Sequence, residues 1–245
     1  MFAQGVLNTI RSGVCAVGYL TVNAKEYSRD PTRPFLKVVG TGFLVRETTV
    51  ITNRHVIEGL HSAQTDLGFP DDQKLLLFVF PAGAGEWHTA FCFANQTSIS
   101  EDPRVDVGFI ELSRRPEPQF EQCKPLSARG FMTLSVGQPI AAWGYAYGTE
   151  MLTKDGRTYR FGPVLQQGHV SALSPFDKAG VIDEVLLDLR GAPGMSGSPV
   201  FQHDGNVVGM IYATWEATTA VAVPLDGTNL GVWLEAHDKV IESSQ

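Results

Sequence analysis

Short apolar segments recur along the whole chain and dominate its hydrophobic pattern. They are rich in Val, Ile, Phe and Thr, and Gly, Pro, Asp and Asn separate them. Many short segments of this kind, spaced by turn residues, are typical of β-sandwiches and β-barrels. The clearest of them are GVCAVGYLTV, KVVGTGFLV, LLLFVF, DVGFIEL, PIAAWGYAY, EVLLDL, NVVGMIYA and AVAVPL. The pattern therefore predicts an all-β fold.

Helical periodicity is strong only near the end of the chain. The stretch LGVWLEAHDKVIE predicts one amphipathic C-terminal helix, with its apolar face formed by Leu230, Trp233, Leu234, His237 and Ile241. A second, short helical turn is expected after His55, in VIEGLHS. Polar loops are expected at HSAQTDLGFPDD and GTEMLTKDGRTYR.

The proline-containing stretch RRPEPQFEQCKPLSARG, residues 114–130, has few apolar residues and predicts a connector between two β halves. We place the domain boundary inside it, with an N-terminal unit over residues 1–125 and a C-terminal unit over residues 126–245. The C-terminal helix belongs to the second unit.

Composition and charge narrow the class of protein. The chain has 245 residues, of which 43% are hydrophobic and 18% charged, and this is enough for a sizeable globular core. Its net charge of −7 argues against a nucleic-acid-binding protein, which needs a basic face. Neither a signal peptide nor an apolar run of about 20 residues is evident. We therefore expect a cytoplasmic protein that does not bind membranes.

The cysteines and most histidines show no metal-binding pattern. Cys15, Cys92 and Cys123 are odd in number and widely spaced, which predicts buried, reduced thiols rather than a disulfide framework or a zinc site. Four histidines also have no partners at metal-ligand spacing, namely His61, His88, His203 and His237. We expect no metal and no cofactor.

Three separate stretches carry residues suited to nucleophilic catalysis. His55 follows the strand-like run VITN, Asp106 opens the apolar run VGFIEL, and Ser196 lies in the glycine-rich segment RGAPGMSGSPVF. A serine hydroxyl needs a base such as histidine to become a nucleophile, and a buried aspartate orients that histidine. Glycines beside the serine let backbone N–H groups turn toward a developing negative charge. The expected oxyanion hole is formed by Gly194, Met195 and Ser196, with N–H donors from Gly194 and Ser196.

In the order His, Asp, Ser, these stretches resemble the trypsin-like (chymotrypsin-fold) serine proteases, in particular the protease domain of the bacterial HtrA/Deg type. GTGFLV with VITNRHVI resembles the strands that lead to the catalytic histidine, and DLRGAPGMSGSPVF resembles the serine loop. The resemblance covers roughly residues 35–235. It implies two six-stranded antiparallel β-barrels, with His55 and Asp106 in the first barrel and Ser196 in the second.

The resemblance also implies a function and a substrate. The implied activity is that of a serine endopeptidase acting on proteins or peptides through an acyl-enzyme. The implied substrate-pairing strand, which would hold an extended peptide by main-chain hydrogen bonds, comprises Ile211, Tyr212, Ala213 and Thr214.

Several positions depart from relatives of this family. Met195 replaces the aspartate that pairs with a newly formed N-terminus in digestive proteases, so activation by N-terminal cleavage is not expected. Val56 replaces a cysteine that often follows the histidine in secreted relatives. Ser198 replaces a frequent second glycine. We expect no PDZ-like segment after the predicted helix.

The preference for the P1 side chain stays open between two alternatives. Arg190 lies where the family places a residue at the base of the S1 pocket, and a cation there would favour an acidic side chain. Asp188 lies on the same strand face and could pair with Arg190 instead. The other alternative is a small apolar pocket lined by Ile211 and Ala213. His169 is expected to be a hydrogen-bonded structural residue.

Two further functional classes share some of these sequence features. A catalytically silent or partner-activated trypsin-like fold could act as a peptide-binding or protein-binding module. An α/β-hydrolase is disfavoured, because Ser198 breaks the G-x-S-x-G motif and because that fold places the acid and the histidine after the serine.

Overall fold

Two closed six-stranded antiparallel β-barrels form the body of the protein, as the resemblance implied. The structure is a computed structural model. It describes residues 2–21, 36–68, 74–83, 86–113, 118–128, 134–147, 153–154, 157–158, 162–175, 182–216 and 218–243. The predicted fold class, all-β with two barrels and a C-terminal helix, is confirmed.

The strands of the first barrel come from the N-terminal half of the chain. They are β1 (Val14–Leu20), β2 (Leu36–Leu44), β3 (Thr49–Thr52), β4 (Lys74–Gly83), β5 (Glu86–Ile99) and β6 (Gly108–Leu112). Their order is β1-β2-β3-β6-β5-β4, and the pairing of β1 with β4 closes the barrel.

The second barrel follows the connector. Its strands are β7 (Pro139–Gly144), β10 (Val164–Ser174), β11 (Glu184–Leu187), β12 (Pro199–Phe201), β13 (Val207–Trp215) and β14 (Thr219–Pro224), in the order β10-β11-β14-β13-β12-β7. A separate hairpin pairs β8 (Thr153–Lys154) with β9 (Arg157–Thr158). It falls in the segment predicted as a polar loop, most of which lies outside the described residues.

Within the described residues, three α-helices accompany the barrels: α1 (Gln4–Gly13), α2 (Arg54–Leu67) and α3 (Gly227–Ser243). The predicted C-terminal helix is confirmed, although it begins at Gly227 rather than Leu230. The Asp226 side chain caps it by accepting hydrogen bonds from the backbone of Thr228 at 2.8 Å and of Asn229 at 2.9 Å. Among the described helices, none is long and apolar enough to span a membrane.

Two helical predictions were wrong. Helix α1 was not expected, because its buried face is narrow and Ile10 is its one fully buried large side chain. Helix α2 is longer than the predicted turn, starts before His55 and continues into the segment expected to be a polar loop, of which residues 69–72 lie outside the described part of the chain. Its polar residues lie on the solvent side while Val56, Ile57 and Leu60 are buried, and Gly68 ends it in the left-handed conformation (φ 67°).

The cores of the two barrels are joined by shared apolar packing. One buried cluster includes Val14 and Phe43 of the first barrel together with Trp143, Phe201 and Met210 of the second.

The cysteines all belong to a cluster inside the first barrel, so their predicted burial is confirmed, and each is free of a disulfide. Between β6 and β7 the described part of the connector contains a 3₁₀ helix, Pro118–Gln122. The exact boundary at residues 125/126 stays a prediction.

Candidate active site

His55 and Asp106 form a close pair on the first barrel. His55 lies in the first turn of α2, and its Nδ1 is 2.6 Å from Asp106 Oδ2, while its backbone N–H donates to Asp106 Oδ1 at 3.0 Å. A carboxylate at Nδ1 accepts the proton of that nitrogen, which leaves Nε2 available as a base. The buried Asn53, directly before α2, donates from its side chain to the Asp106 carbonyl oxygen at 2.9 Å. The arrangement orients both the ring and the loop that carries the acid.

The sequence pattern predicted that Asp106 opens a strand, and this prediction was wrong. Strand β6 begins at Gly108, and Asp106 lies in the irregular segment between β5 and β6. This segment is shaped by local hydrogen bonds, such as that from Val105 N–H to the Asp102 carbonyl at 3.0 Å. Arg104 bonds the Asp102 carboxylate and lowers its pKa to about 2.

Ser196 lies in the segment between β11 and β12, against the first barrel. Its carbonyl oxygen accepts a hydrogen bond from Thr41 N–H of β2 at 2.7 Å. A methyl group on Gly40 would lie 3.1 Å from that oxygen and 2.7 Å from Val56 Cγ2, the residue next to His55. The fold therefore brings Ser196 beside the first turn of α2. Among the described hydrogen bonds none joins Ser196 Oγ to His55, and catalytic hydrogen bonds of this kind commonly tighten only when substrate binds.

The backbone around Ser196 is almost fully hydrogen-bonded within the protein. The Ala192 carbonyl accepts a hydrogen bond from Met195 N–H, the Pro193 carbonyl from Tyr147 N–H, and the Met195 carbonyl from Ser198 N–H. Thr41 supplies the donors to the other two carbonyls: its hydroxyl donates to Gly194 and its N–H donates to Ser196. Gly197 N–H donates to the Ile211 carbonyl at 2.8 Å. Within residues 193–198, all of which the structure describes, only the N–H groups of Gly194 and Ser196 therefore have no hydrogen bond.

These two N–H groups are directed by the peptide units that carry them. A trans peptide places its C=O and its N–H on opposite sides. The Pro193 carbonyl is bonded to Tyr147 N–H at 2.6 Å, so the N–H of Gly194 faces the other way. Gly194 has a φ of 89°, a conformation that favours glycine. Met195 contributes no donor to the predicted oxyanion hole, because its N–H is bonded to Ala192 and its side chain is buried in the second barrel.

The free edge of β13 lies next to the serine segment. β13 pairs with β12 only as far as Met210, whereas it pairs with β14 as far as Trp215. Ile211 uses both its main-chain groups, donating to Ser198 at 2.9 Å and accepting from Gly197. Ile211 therefore cannot pair with a peptide, contrary to the prediction. Residues 212–214 have only β14 as a strand partner in the described part of the chain.

Asp188 has no described contact with Arg190, so the structure does not support the alternative in which these two residues pair. Asp188 accepts hydrogen bonds from the backbone of His169 and contacts its Nδ1 at 3.3 Å, because the pairing of β10 with β11 places these two residues side by side. The expectation that His169 is hydrogen-bonded is thus confirmed. Arg190 is exposed, and its backbone is held at both ends by the Gln166 side-chain amide at 3.1 Å.

The two segments that would flank a P1 side chain are in contact. Gly191 lies directly against Thr214, and a methyl group on Gly191 would overlap the Thr214 side chain. Thr214 thus occupies space between the serine segment and the free edge of β13.

A cavity of about 600 Å³ adjoins Asp106 on the side of the second barrel. Its walls include Asp183, Glu184, Tyr212 and Trp233. The Tyr212 hydroxyl donates to the Glu184 carboxylate, and burial together with this carboxylate raises the pKa of Tyr212. No local pattern in the sequence indicated this cavity, because the residues that line it are far apart along the chain and share no motif.

Comparison with known proteins agrees with this architecture. Residues 40–210 match a family model described as the trypsin-like peptidase domain. The fold is similar to that of Deg5, with a TM-score of 0.55, 18% identity, and coverage of 90% of this chain and 87% of that chain. It is also similar to the active form of the Rv3671c protease from M. tuberculosis, with a TM-score of 0.52, 17% identity, and coverage of 89% and 78%. No curated protein sequence matches the chain significantly. Because the family match spans more than half of the sequence, the chain belongs to the trypsin-like peptidase family.

Proposed function

We propose that this chain is a serine endopeptidase in which Ser196 is the nucleophile, His55 the general base and acid, and Asp106 the residue that orients His55. The observation that carries the proposal is the pairing of His55 with Asp106 beside a serine segment with two unbonded N–H groups, those of Gly194 and Ser196. A nucleophile, a base with its orienting acid and a pair of donors are the parts that acyl transfer requires.

In the proposed reaction Ser196 Oγ attacks the peptide carbonyl carbon while His55 Nε2 takes the hydroxyl proton. The negative charge that forms on the carbonyl oxygen is held by the N–H groups of Gly194 and Ser196. The tetrahedral intermediate collapses to an acyl-enzyme as His55 donates the proton to the leaving amine. A water molecule then attacks the ester, with His55 again accepting and returning a proton, and the carboxylic acid product leaves.

The substrate is proposed to bind as an additional strand on the free edge formed by Tyr212, Ala213 and Thr214. An unpaired strand edge supplies main-chain donors and acceptors for an extended peptide. The contact between Thr214 and Gly191 leaves little room for a large P1 side chain and so supports the alternative of a small pocket. Arg190 supports the acidic alternative only by its place in the sequence.

The proposal is tested with the variants Ser196→Ala and Ser198→Ala. Loss of a triad nucleophile lowers turnover by a factor of about 10⁴ or more. We expect Ser196→Ala to abolish cleavage of a fluorogenic peptide library and labelling by a fluorophosphonate probe. Ser198 is the matched control, because its side chain is fully buried and contacts the Met195 sulfur. Ser198→Ala should keep both activities.

The same experiment separates the enzyme from the silent binding module. A wild-type chain that neither cleaves peptides nor reacts with the probe would overturn the proposal and favour the module. Equal labelling of the wild type and Ser196→Ala would remove Ser196 from the mechanism.

A further inference from the structure

We infer that Thr41, a residue of the first barrel, is a positioning residue that sets the oxyanion hole carried by the second barrel. This inference rests on the proposed function. Thr41 lies in β2 and is completely buried. Its hydroxyl donates to the Gly194 carbonyl at 2.6 Å and accepts from Tyr145 N–H at 2.9 Å. Its backbone N–H donates to the Ser196 carbonyl at 2.7 Å.

The hydroxyl of Thr41 has a fixed hydrogen-bond polarity. A threonine hydroxyl has one donor hydrogen and two acceptor lone pairs. Tyr145 N–H can only donate, so it occupies an acceptor site and directs the single hydrogen toward the Gly194 carbonyl. Valine has the same shape as threonine but can make neither bond.

The anchor matters because the held residue is a glycine. Gly194 can rotate about its backbone more freely than other residues, and its φ of 89° is one of several conformations open to it. The carbonyls before and after its Cα are each fixed by a hydrogen bond. Tyr147 N–H donates to the Pro193 carbonyl, and the Thr41 hydroxyl donates to the Gly194 carbonyl. Together these bonds determine where the Gly194 N–H points.

Thr41 also holds the other donor residue. The Ser196 carbonyl accepts a hydrogen bond from Thr41 N–H. Thr41 of β2 therefore forms hydrogen bonds with the serine segment on both sides of Met195. The Thr41 carbonyl in turn accepts from the Thr52 hydroxyl at 2.7 Å, within the first barrel and close to His55 in sequence. The position of the donors in the second barrel therefore depends on buried residues of the first.

The test compares Thr41→Val, which lacks the hydroxyl, with Thr41→Ser, which keeps it, and with Thr41→Cys, which has a weaker donor. A misdirected oxyanion donor slows the chemical step more than it weakens substrate binding. We expect kcat of Thr41→Val to fall about 10-fold to 100-fold, since loss of a donor altogether costs about 100-fold or more. KM should change less than about threefold, Thr41→Ser should stay near the wild type, and Thr41→Cys should lie between.

A second readout distinguishes positioning from general destabilisation. A peptide aldehyde forms a tetrahedral adduct with the nucleophile and so reports on the oxyanion hole, whereas a non-cleaved peptide reports on substrate binding alone. Thr41→Val should weaken aldehyde inhibition by the same factor as kcat and leave binding of the non-cleaved peptide and the shape of the pH profile unchanged.

Three results would overturn the inference. One is a kcat of Thr41→Val within twofold of Thr41→Ser, and another is an equal loss of affinity for the aldehyde and the non-cleaved peptide. If circular dichroism shows that Thr41→Val does not fold, the inference is tested by comparing kcat of Thr41→Cys with kcat of Thr41→Ser. Equal kcat values for these two variants are the third result that would contradict the inference. A wild-type chain inert to the fluorophosphonate probe would instead refute the proposed function, and the inference with it.

Discussion

Gly197 occupies a position that no other residue type can fill without rearrangement. Its φ is 87°, and a methyl group there would overlap the Thr41 carbonyl and the Thr52 hydroxyl. We expect Gly197→Ala to lower the free energy of unfolding by about 3 kcal/mol or more, because strain and a steric clash add. Gly59→Ala in α2 is the control, since nothing lies within 4 Å of its added methyl group, and it should stabilise by up to about 1 kcal/mol. Urea unfolding measures both, and similar values would contradict the prediction.

Thr214 is the residue that we expect to limit the P1 side chain. Thr214→Gly removes the side chain that lies against Gly191, so kcat/KM for substrates with P1 Leu or Phe should rise about tenfold or more. Thr214→Val keeps the shape and should keep the wild-type ranking. Cleavage profiles of a peptide library with varied P1 measure the effect. A wild-type preference for P1 Asp or Glu that disappears in Arg190→Gln would instead establish the acidic alternative.

At the scale of elements, helix α3 is anchored on the first barrel although it follows the second in sequence. His237 is buried, its Nδ1 lies 2.7 Å from the Ser98 hydroxyl, and its ring stacks on Phe109 with centroids 5.2 Å apart. Its Nε2 is 3.5 Å from the Glu111 carboxylate, which also accepts from the Thr49 hydroxyl at 3.0 Å. The helix therefore links β5 and β6 to the end of the chain.

This anchor predicts a dependence of stability on pH. Burial opposes the ionisation of Glu111, but bonds with His237, Thr48 and Thr49 outweigh it and lower the pKa of Glu111. A lowered pKa contributes stability above the ordinary glutamate value of about 4.3 and loses it as the pH falls through the folded-state value. We expect Glu111→Gln to cost about 1 kcal/mol at pH 7, allowing for partial exposure, and progressively less as the pH falls below about 4.3.

Urea unfolding of both proteins from pH 3 to pH 7 checks this dependence. Glu58→Gln serves as the control because Glu58 forms a solvent-exposed pair with Arg54, at 2.7 Å. Its cost should stay below about 0.5 kcal/mol at every pH. A cost of Glu111→Gln that is independent of pH would show that the carboxylate charge does not stabilise the helix anchor.

At the scale of the whole molecule, the two barrels share buried packing and should unfold together. The common apolar cluster contains residues of both, and the buried Tyr145 of the second barrel donates from its hydroxyl to the Leu77 carbonyl of the first at 3.3 Å. We expect a single calorimetric transition, with equal calorimetric and van't Hoff enthalpies. Tyr145→Ala should cost about 3 to 5 kcal/mol, as is usual for loss of a buried aromatic ring. Two resolved transitions in the wild type would contradict the prediction.

Part of this molecule could be predicted from local patterns. Short apolar runs rich in Val, Ile, Phe and Thr, separated by turn residues, indicated β-structure, because strand preference and turn chemistry depend on a few neighbouring residues. The helix ending at Ser243 was predicted for the same reason. Helix α1 and most of α2 were missed, because polar residues on a solvent-facing helix surface look like a loop when the buried face is narrow.

The sequence by itself determined the β-rich fold class, the C-terminal helix and the motifs that marked His55, Asp106 and Ser196, since each depends on neighbours within a few residues. Only the tertiary structure decided that Asp188 bonds His169, that Ile211 and Met195 have no free N–H groups, and that Thr41 holds the serine segment. These are hydrogen bonds and contacts between residues distant along the chain. Their partners depend on how the strands pair and how the two barrels pack, which no local pattern specifies.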